Sequence, residues 1–185
     1  MNWSDISLVW VAERATGITA LILLSLSAFL GAVISAGWRS RRFPEVRSVG
    51  LHRNISLITM VFVVIHVVAA VADSFVEIPI AAVFIPFVAE YKPLWVGLGT
   101  IAFDLLIAVM VTSYLRDRIN PRLWRIIHNL TYVLWAIATI HTLGAAYERS
   151  LTFITAALGV ALVVPTIILR YTRPYERRGL GEVAQ

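Results

Sequence analysis

Five apolar segments, each about as long as a bilayer is thick, constrain this chain more than any other feature. They cover residues 15–38, 54–72, 94–115, 126–147 and 150–169, and together they contain one Asp, Glu, Lys or Arg residue, Asp104. About 20 apolar residues span a membrane as a helix, and the lipid interior requires every backbone polar group to be bonded within the protein. The sequence therefore predicts an all-α integral membrane bundle of five helices, formed by one domain over residues 15–169.

The boundaries follow from local signals. The second helix is predicted to begin near Val49 and the fourth at Asn120-Pro121, because proline suits the first helical turn. Residues 78–89 contain two prolines and are too few to span, so they are predicted to be an interfacial or re-entrant segment. Residues 1–14 are predicted to be an outer N-terminal segment without the basic region of a cleavable signal, and residues 170–185 a cytoplasmic tail.

The basic residues predict the orientation of the bundle. The chain is 59% hydrophobic and 15% charged, with a net charge of +5. Of its 16 basic residues, 13 fall on one predicted side, and short loops rich in Arg and Lys stay in the cytoplasm. The interpretation is a multi-pass protein of a bacterial plasma membrane, with its N-terminus outside and its C-terminus inside. The positive charge then reflects topology and lipid contact, and no nucleic-acid partner is expected. The 13 residues are Arg39, Arg41, Arg42, Arg47, Arg53, Arg116, Arg118, Arg122, Arg125, Arg170, Arg173, Arg177 and Arg178; Arg14, Lys92 and Arg149 lie on the other side.

All four histidines lie within or at the start of predicted spans, two on the second and two on the fourth. Ionisable residues inside a membrane are costly and are candidates for function. Both helices are predicted to run outward, so His52 and His128 share a depth near the cytoplasm, and His66 and His141 lie roughly 20 Å further out. Two b-type haems with two axial imidazoles each would fit this arrangement.

Other interpretations of the histidines are open at this point. They could be polar core residues bonded between helices, or part of a proton pathway. Zinc is less suited, because it takes three or four ligands at one depth. The absence of cysteine excludes disulfides, iron–sulfur clusters and thiolate ligands.

The spacing of the second pair requires an irregular helix. At about 100° per residue, the 14 steps from His52 to His66 leave these side chains roughly 40° apart, on one face. The 13 steps from His128 to His141 leave them roughly 140° apart on a straight helix. A π-bulge, a bend or another distortion is therefore predicted between His128 and His141.

The chain resembles the ferric reductase-like transmembrane domain family. This family includes the membrane domains of NADPH oxidases, ferric reductases and the haem subunit of the periplasmic methionine sulfoxide reductase system. The resemblance covers residues 15–169, and it implies one haem b between His52 and His128, an outer haem b between His66 and His141, and electron transfer between them. It depends on the two histidine spacings and on four stretches: Leu51-His52-Arg53-Asn54, Tyr91-Lys92-Pro93-Leu94-Trp95, Thr112-Ser113-Tyr114-Leu115-Arg116, and Trp124-Arg125-Ile126-Ile127-His128 followed by Tyr132.

The resemblance also implies partners. Many relatives have six spans and carry a cytoplasmic flavin and nicotinamide domain, whereas residues 170–185 contain no G-x-G-x-x-G unit. The expected donor is a separate flavoprotein reductase or a membrane quinol, so a bound quinone is an option. The expected acceptor outside the cytoplasm is ferric iron or a periplasmic redox protein, a molybdenum enzyme included. A hypothesis of another class is a non-redox membrane scaffold or proton-coupled transporter with core histidines.

Several other residues are candidates for a role around the haems. Arg53 and Arg125 are candidate partners of the propionates of the inner haem, and Arg14 and Lys92 of the outer haem; anchoring at the membrane surface is the alternative. Asp104 is a candidate for orienting a ligand imidazole or carrying protons, or is a neutral acid bonded to a hydroxyl. Gly31, Gly97 and Gly99 could let helices or a porphyrin approach closely.

Overall fold

The protein is a bundle of helices. The computed structural model describes residues 8–36, 45–74, 76–146 and 149–172, of which 84% are helical and none is in a strand. Five spans are long and apolar enough to cross a membrane, which confirms the predicted class and number of helices; α4 and α5 together make the fourth. The helices are α1 (Leu8–Ser35), α2 (Glu45–Ala72), a 3₁₀ helix (Ile80–Val83), α3 (Pro93–Tyr114), α4 (Pro121–Asn129), α5 (Thr131–Ala145) and α6 (Arg149–Thr172).

The first helix begins earlier than predicted. Residues 8–14 were predicted to form a separate segment, but they are the first two turns of α1. The Arg14 guanidinium lies over the Trp10 ring at 4.1 Å, one turn earlier, so the charged residues here support the helix. At the other end, α6 extends to Thr172, and residues 173–185 of the predicted tail lie outside the described residues.

Packing divides the bundle into two pairs of helices. α2 packs along α1, and α5 packs along α3, while α1 also contacts α5 and α6. α2 and α5 do not pack closely against each other. The core of the described residues joins α1, α3, α5 and α6 and leaves a gap on the side of α5 that faces α2. The buried core residues are Leu24, Ala28, Ala102, Leu106, Leu134, Trp135 and Val163.

The two ends of the bundle differ in charge. We call the end where α1, α3 and α6 finish and α2 and α4 begin the basic end, and the opposite end the far end. The described basic residues of the far end are Arg14, Lys92 and Arg149. Those of the basic end are Arg47, Arg53, Arg116, Arg118, Arg122, Arg125 and Arg170.

The segment between α2 and α3 covers part of the far end. As predicted, residues 78–89 form no spanning helix; they contain the 3₁₀ helix and pack on α3. The Thr100 hydroxyl donates to the Ala82 carbonyl at 2.6 Å, and the Phe87 ring lies so close to Gly97 that a Cβ there would overlap it. The placement of this segment at a membrane surface stays a prediction.

The fourth span is broken between its two histidines. α4 ends at Asn129 and α5 begins at Thr131, and the intervening Leu130 N–H bonds to the Ile127 carbonyl at 3.0 Å, a tighter turn than an α-helix makes. The Thr131 hydroxyl donates to the His128 carbonyl at 2.6 Å. The predicted distortion between His128 and His141 is therefore confirmed, and it takes the form of a helix break.

We expect Ser25→Ala to lower the free energy of unfolding by about 1–3 kcal/mol, because it leaves the buried indole N–H of Trp135 without its acceptor. The Trp135 Nε1–H donates to Ser25 Oγ at 2.9 Å in the core. Ser35→Ala is the matched control, since exposed Ser35 bonds to its own helix and the change should fall within about 0.5 kcal/mol. Unfolding in mixed detergent micelles measures both, and equal values for the two variants would contradict the expectation.

Candidate functional site

The structure brings the four imidazoles together as two opposed pairs. The ring centroids of His52 and His128 are 6.2 Å apart with planes at 79°, and those of His66 and His141 are 6.4 Å apart with planes at 74°. His52 and His66 come from α2, and their partners come from α4 and α5 across the gap. The helices that carry them therefore run parallel, with one pair toward the basic end and one toward the far end.

Each Nδ1 atom is already occupied by a neighbouring helix. His52 Nδ1 lies 3.0 Å from the Ser27 carbonyl and His66 Nδ1 lies 2.8 Å from the Glu13 carbonyl, both on α1. On α3, the Trp95 carbonyl lies 2.7 Å from His141 Nδ1 and the Ser113 hydroxyl lies 3.2 Å from His128 Nδ1. A carbonyl only accepts, so three rings must be protonated at Nδ1, which leaves the Nε2 lone pair free to bind.

Glycines make these carbonyls accessible. A helical side chain leans toward the N-terminus and covers the turn before it, so the residue at i+4 lies over the carbonyl of residue i. Each of the three carbonyls is followed four residues later by glycine: Gly17, Gly31 and Gly99. A Cβ at Gly17 would lie 2.9 Å from His66 Nδ1, and one at Gly99 would lie 2.7 Å from His141 Cε1. The absence of a side chain lets each ring reach the backbone of the helix beside it.

The arrangement repeats along each supporting helix. On α1, the carbonyl–glycine unit of residues 13 and 17 recurs 14 residues later at 27 and 31, which matches the step from His52 to His66. On α3, the unit at residues 95 and 99 recurs at 109 and 113, where Ser113 replaces the glycine. The equal steps let an antiparallel neighbour support two rings at two depths.

The separation of the rings suits a metal between them. A metal–imidazole nitrogen bond is about 2.0 Å long and the ring centroid lies a further ~1.1 Å away, so opposed rings that share one metal have centroids about 6.2 Å apart. Opposed nitrogens at this spacing are about 4 Å apart, which is too far for a hydrogen bond. Aromatic contact alone would allow any separation from about 4.5 to 7 Å, yet the two pairs agree within 0.2 Å.

A cavity opens beside the pair at the basic end. Its volume is about 290 Å³, and both His52 and His128 line it. The Trp124 indole stacks on the His128 ring, with centroids 5.0 Å apart and planes at 22°. Trp124 also lines the cavity, and its buried Nε1–H has no acceptor among the described residues. This N–H can donate to an anionic group placed in the cavity.

Arg170 closes the same cavity from α6. Its guanidinium donates to the Tyr132 hydroxyl at 2.6 Å and to the Asn129 side-chain oxygen at 3.0 Å. All three residues line the cavity, as does Arg125. An Arg fork has five N–H donors, so Arg170 retains donors for an anion after making these two bonds.

The predicted propionate partners lie at the expected ends. Arg125 lines the cavity, while Arg53 is exposed on α2 next to His52. At the far end, Lys92 Nζ donates to the Ala145 carbonyl at the end of α5, 3.0 Å away. Arg14 follows Glu13, whose carbonyl bonds His66, and it stacks on Trp10.

Asp104 does not orient a ring. It is half-buried in the middle of α3, and the four Nδ1 partners are the residues at 13, 27, 95 and 113. The second role predicted for it, carrying protons, stays a prediction. Across the described ranges, no group of three or more His, Asp or Glu side chains could hold a metal ion, which is the number that a zinc site takes.

The fold and the opposed pairs define a multi-pass membrane protein with two histidine-lined sites. The chain belongs to the family of ferric reductase-like transmembrane components, whose family model matches residues 16–139. The match includes His52, His66 and His128 and ends two residues before His141. No curated protein matches the chain.

Sequence reasoning missed several residues of this site. Gly17 and Ser113 could have been found, because each lies 14 residues from a glycine noted in the sequence, Gly31 and Gly99 respectively, the same step that separates His52 from His66. Arg170 and Trp124 carried no such signal. Arg170 was counted for its charge alone, and the stacking of Trp124 on His128 depends on the break at Leu130.

We expect Gly99→Ala to destabilise the protein by about 1–3 kcal/mol more than Gly31→Ala, because overpacking forces a ring or a helix to move. A Cβ at Gly99 would be 2.7 Å from the His141 ring, whereas one at Gly31 would be 3.4 Å from the His52 ring, an ordinary contact. Both variants gain the same helix propensity, so the difference isolates the ring contact. Unfolding in mixed micelles measures it, and equal stability of the two variants would refute the proposed cradle.

Proposed function

We propose that this chain is a di-haem cytochrome b that transfers electrons across a membrane. His52 and His128 would bind one haem b at the basic end, and His66 and His141 a second at the far end, within a di-haem domain over residues 15–169. The observation that carries the proposal is the equal spacing of the two opposed pairs, 6.2 and 6.4 Å, with each Nδ1 atom bonded elsewhere. Membership of the ferric reductase-like family supports electron transfer as the activity.

Each bound haem would supply a one-electron redox centre. The chain's own residues supply the ligands and their tautomers. The carbonyls of Glu13, Ser27 and Trp95 hold three imidazoles in the Nδ1–H form, and a hydrogen bond at Nδ1 raises the basicity of the opposite nitrogen. The rings are then oriented before a metal binds, which lowers the entropy lost on binding.

Cationic residues at both ends suit the propionate groups of haem. At the basic end, the guanidinium groups of Arg125 and Arg170 and the free Nε1–H of Trp124 surround the cavity. At the far end, Lys92 keeps two ammonium donors after bonding Ala145, and Arg14 lies on the helix turn that supports His66. Arg53 is the further candidate at the basic end. Charge-assisted bonds to carboxylates are the strong ones in proteins.

The direction of electron flow follows from the distribution of charge. Short loops rich in Arg lie in the cytoplasm, so the basic end would face a bacterial cytoplasm, and the far end the outside of the plasma membrane. Electrons would enter at the basic end from a separate flavoprotein reductase or a membrane quinol. They would leave at the far end to ferric iron or a periplasmic redox protein.

The packing between the two pairs favours electron transfer over ion transport. Leu24, Leu106, Leu134 and Trp135 form the buried core between the two depths. The hydroxyls of Thr59 and Thr139 nearby donate to carbonyls of their own helices, at 2.8 Å each. Electrons tunnel through such packing, whereas an ion or proton needs polar partners along its path.

Vesicles that contain the purified protein and trap ferricyanide test this function. Dithionite added outside does not cross the lipid, so we expect the protein to bleach the trapped dye faster than protein-free vesicles do. His66→Ala should lower the rate at least about tenfold, because losing a ligand costs more than losing an outer-shell partner, itself worth 10–100-fold. Thr19→Ala is the control, since the Thr19 hydroxyl bonds to Ala15 on its own helix. A wild-type rate no faster than that of empty vesicles would reject electron transfer, and an unchanged rate in His66→Ala would reject the ligand.

A further inference from the structure

One of the four imidazoles is held differently from the others. His52, His66 and His141 each have a main-chain carbonyl at Nδ1, at 2.7 to 3.0 Å. His128 has the Ser113 hydroxyl instead, at 3.2 Å. A hydroxyl can donate or accept, so Ser113 alone does not fix the tautomer of its ring.

The sequence of α3 explains the difference. Ser113 occupies the position that glycine has in the other three units, and its Cβ lies over the Val109 carbonyl. That carbonyl also accepts a bond from the Thr112 hydroxyl at 3.2 Å. His128 is therefore denied the backbone acceptor that its 14-residue counterpart, His141, obtains from Trp95.

We propose that Ser113 is a positioning residue that raises the reduction potential of the haem at the basic end above that of the haem at the far end. This inference rests on the proposed function. A strong acceptor at Nδ1 makes an imidazole a better electron donor and stabilises the ferric state, which lowers the potential. Both rings at the far end have short carbonyl bonds, whereas one ring at the basic end has a longer bond to a hydroxyl.

The charges around the two sites act in the same direction. At the far end, a Glu13 carboxylate oxygen lies 3.7 Å from His66 Nδ1 and adds negative charge to that ring. Of the far-end cations, Lys92 is bonded to the Ala145 carbonyl and Arg14 is stacked on Trp10. At the basic end, the guanidinium groups of Arg125 and Arg170 line the cavity itself. Nearby positive charge favours the added electron, so the basic-end site is the easier one to reduce.

The consequence concerns where an electron rests. With the higher potential at the basic end, the first electron delivered stays there, and the far end becomes reduced only when more electrons arrive or an acceptor withdraws them. A donor-side reserve of this kind limits the loss of electrons at the far end when the proper acceptor is absent.

Two substitutions at one position separate this inference from a structural role. Ser113→Gly uncovers the Val109 carbonyl, so His128 gains a backbone acceptor and the higher of the two potentials should fall. Ser113→Ala keeps the Cβ over the carbonyl and removes the hydroxyl, so Nδ1–H loses its acceptor and the same potential should rise. Redox titration of the full chain in lipid nanodiscs, followed by the haem absorbance, measures both shifts, and Thr19→Ala should leave both waves in place.

The results distinguish this inference from the proposed function. Opposite shifts of the higher wave, with the lower wave unmoved, support it. Shifts in the same direction, no shift, or movement of the lower wave overturn it while the two-haem function stands. A preparation without haem after haem-replete expression overturns the proposed function and this inference together.

Discussion

The hydrogen bond from an imidazole Nδ1–H to a carbonyl of the adjacent helix is the interaction on which the rest of the site depends. It sets the tautomer of the ring and turns Nε2 toward the gap between α2 and α5. It also requires that no side chain cover the carbonyl, which accounts for glycine at 17, 31 and 99. The pairing of α1 with α2 and of α3 with α5 follows, because each ligand-bearing helix must lie against a helix that offers carbonyls at two depths.

The gap between α2 and α5 is the second consequence. Membrane helices usually associate through close packing of small residues, yet these two face each other with imidazole rings about 6 Å apart and little direct packing. The rings are held from behind, by α1 and α3, and therefore do not need each other for support. The break at Leu130 belongs to the same design, since it lets His128 and His141 face one direction from positions that a straight helix would set apart.

Much of this could be predicted from residues alone. The apolar segments predicted five helices, and the 13-residue step from His128 to His141 predicted an irregular helix, because helical phase is simple geometry. The acceptors of the rings could not be predicted in the same way. They are main-chain atoms of Glu13, Ser27 and Trp95, and a carbonyl is present at every position, so only a glycine four residues later hints at its use. Arg170 enters the site through the packing of α6, which no local pattern encodes.

The central claim is that each pair of rings holds one haem between imidazoles in nearly perpendicular planes. Electron paramagnetic resonance of the oxidised protein, with a haem count on the same sample, tests it most directly. Planes at 79° and 74° leave two iron d orbitals close in energy, so we expect two haems per chain with strongly anisotropic low-spin signals. A single haem per chain, a high-spin signal, or the rhombic signal of parallel imidazoles would contradict the claim.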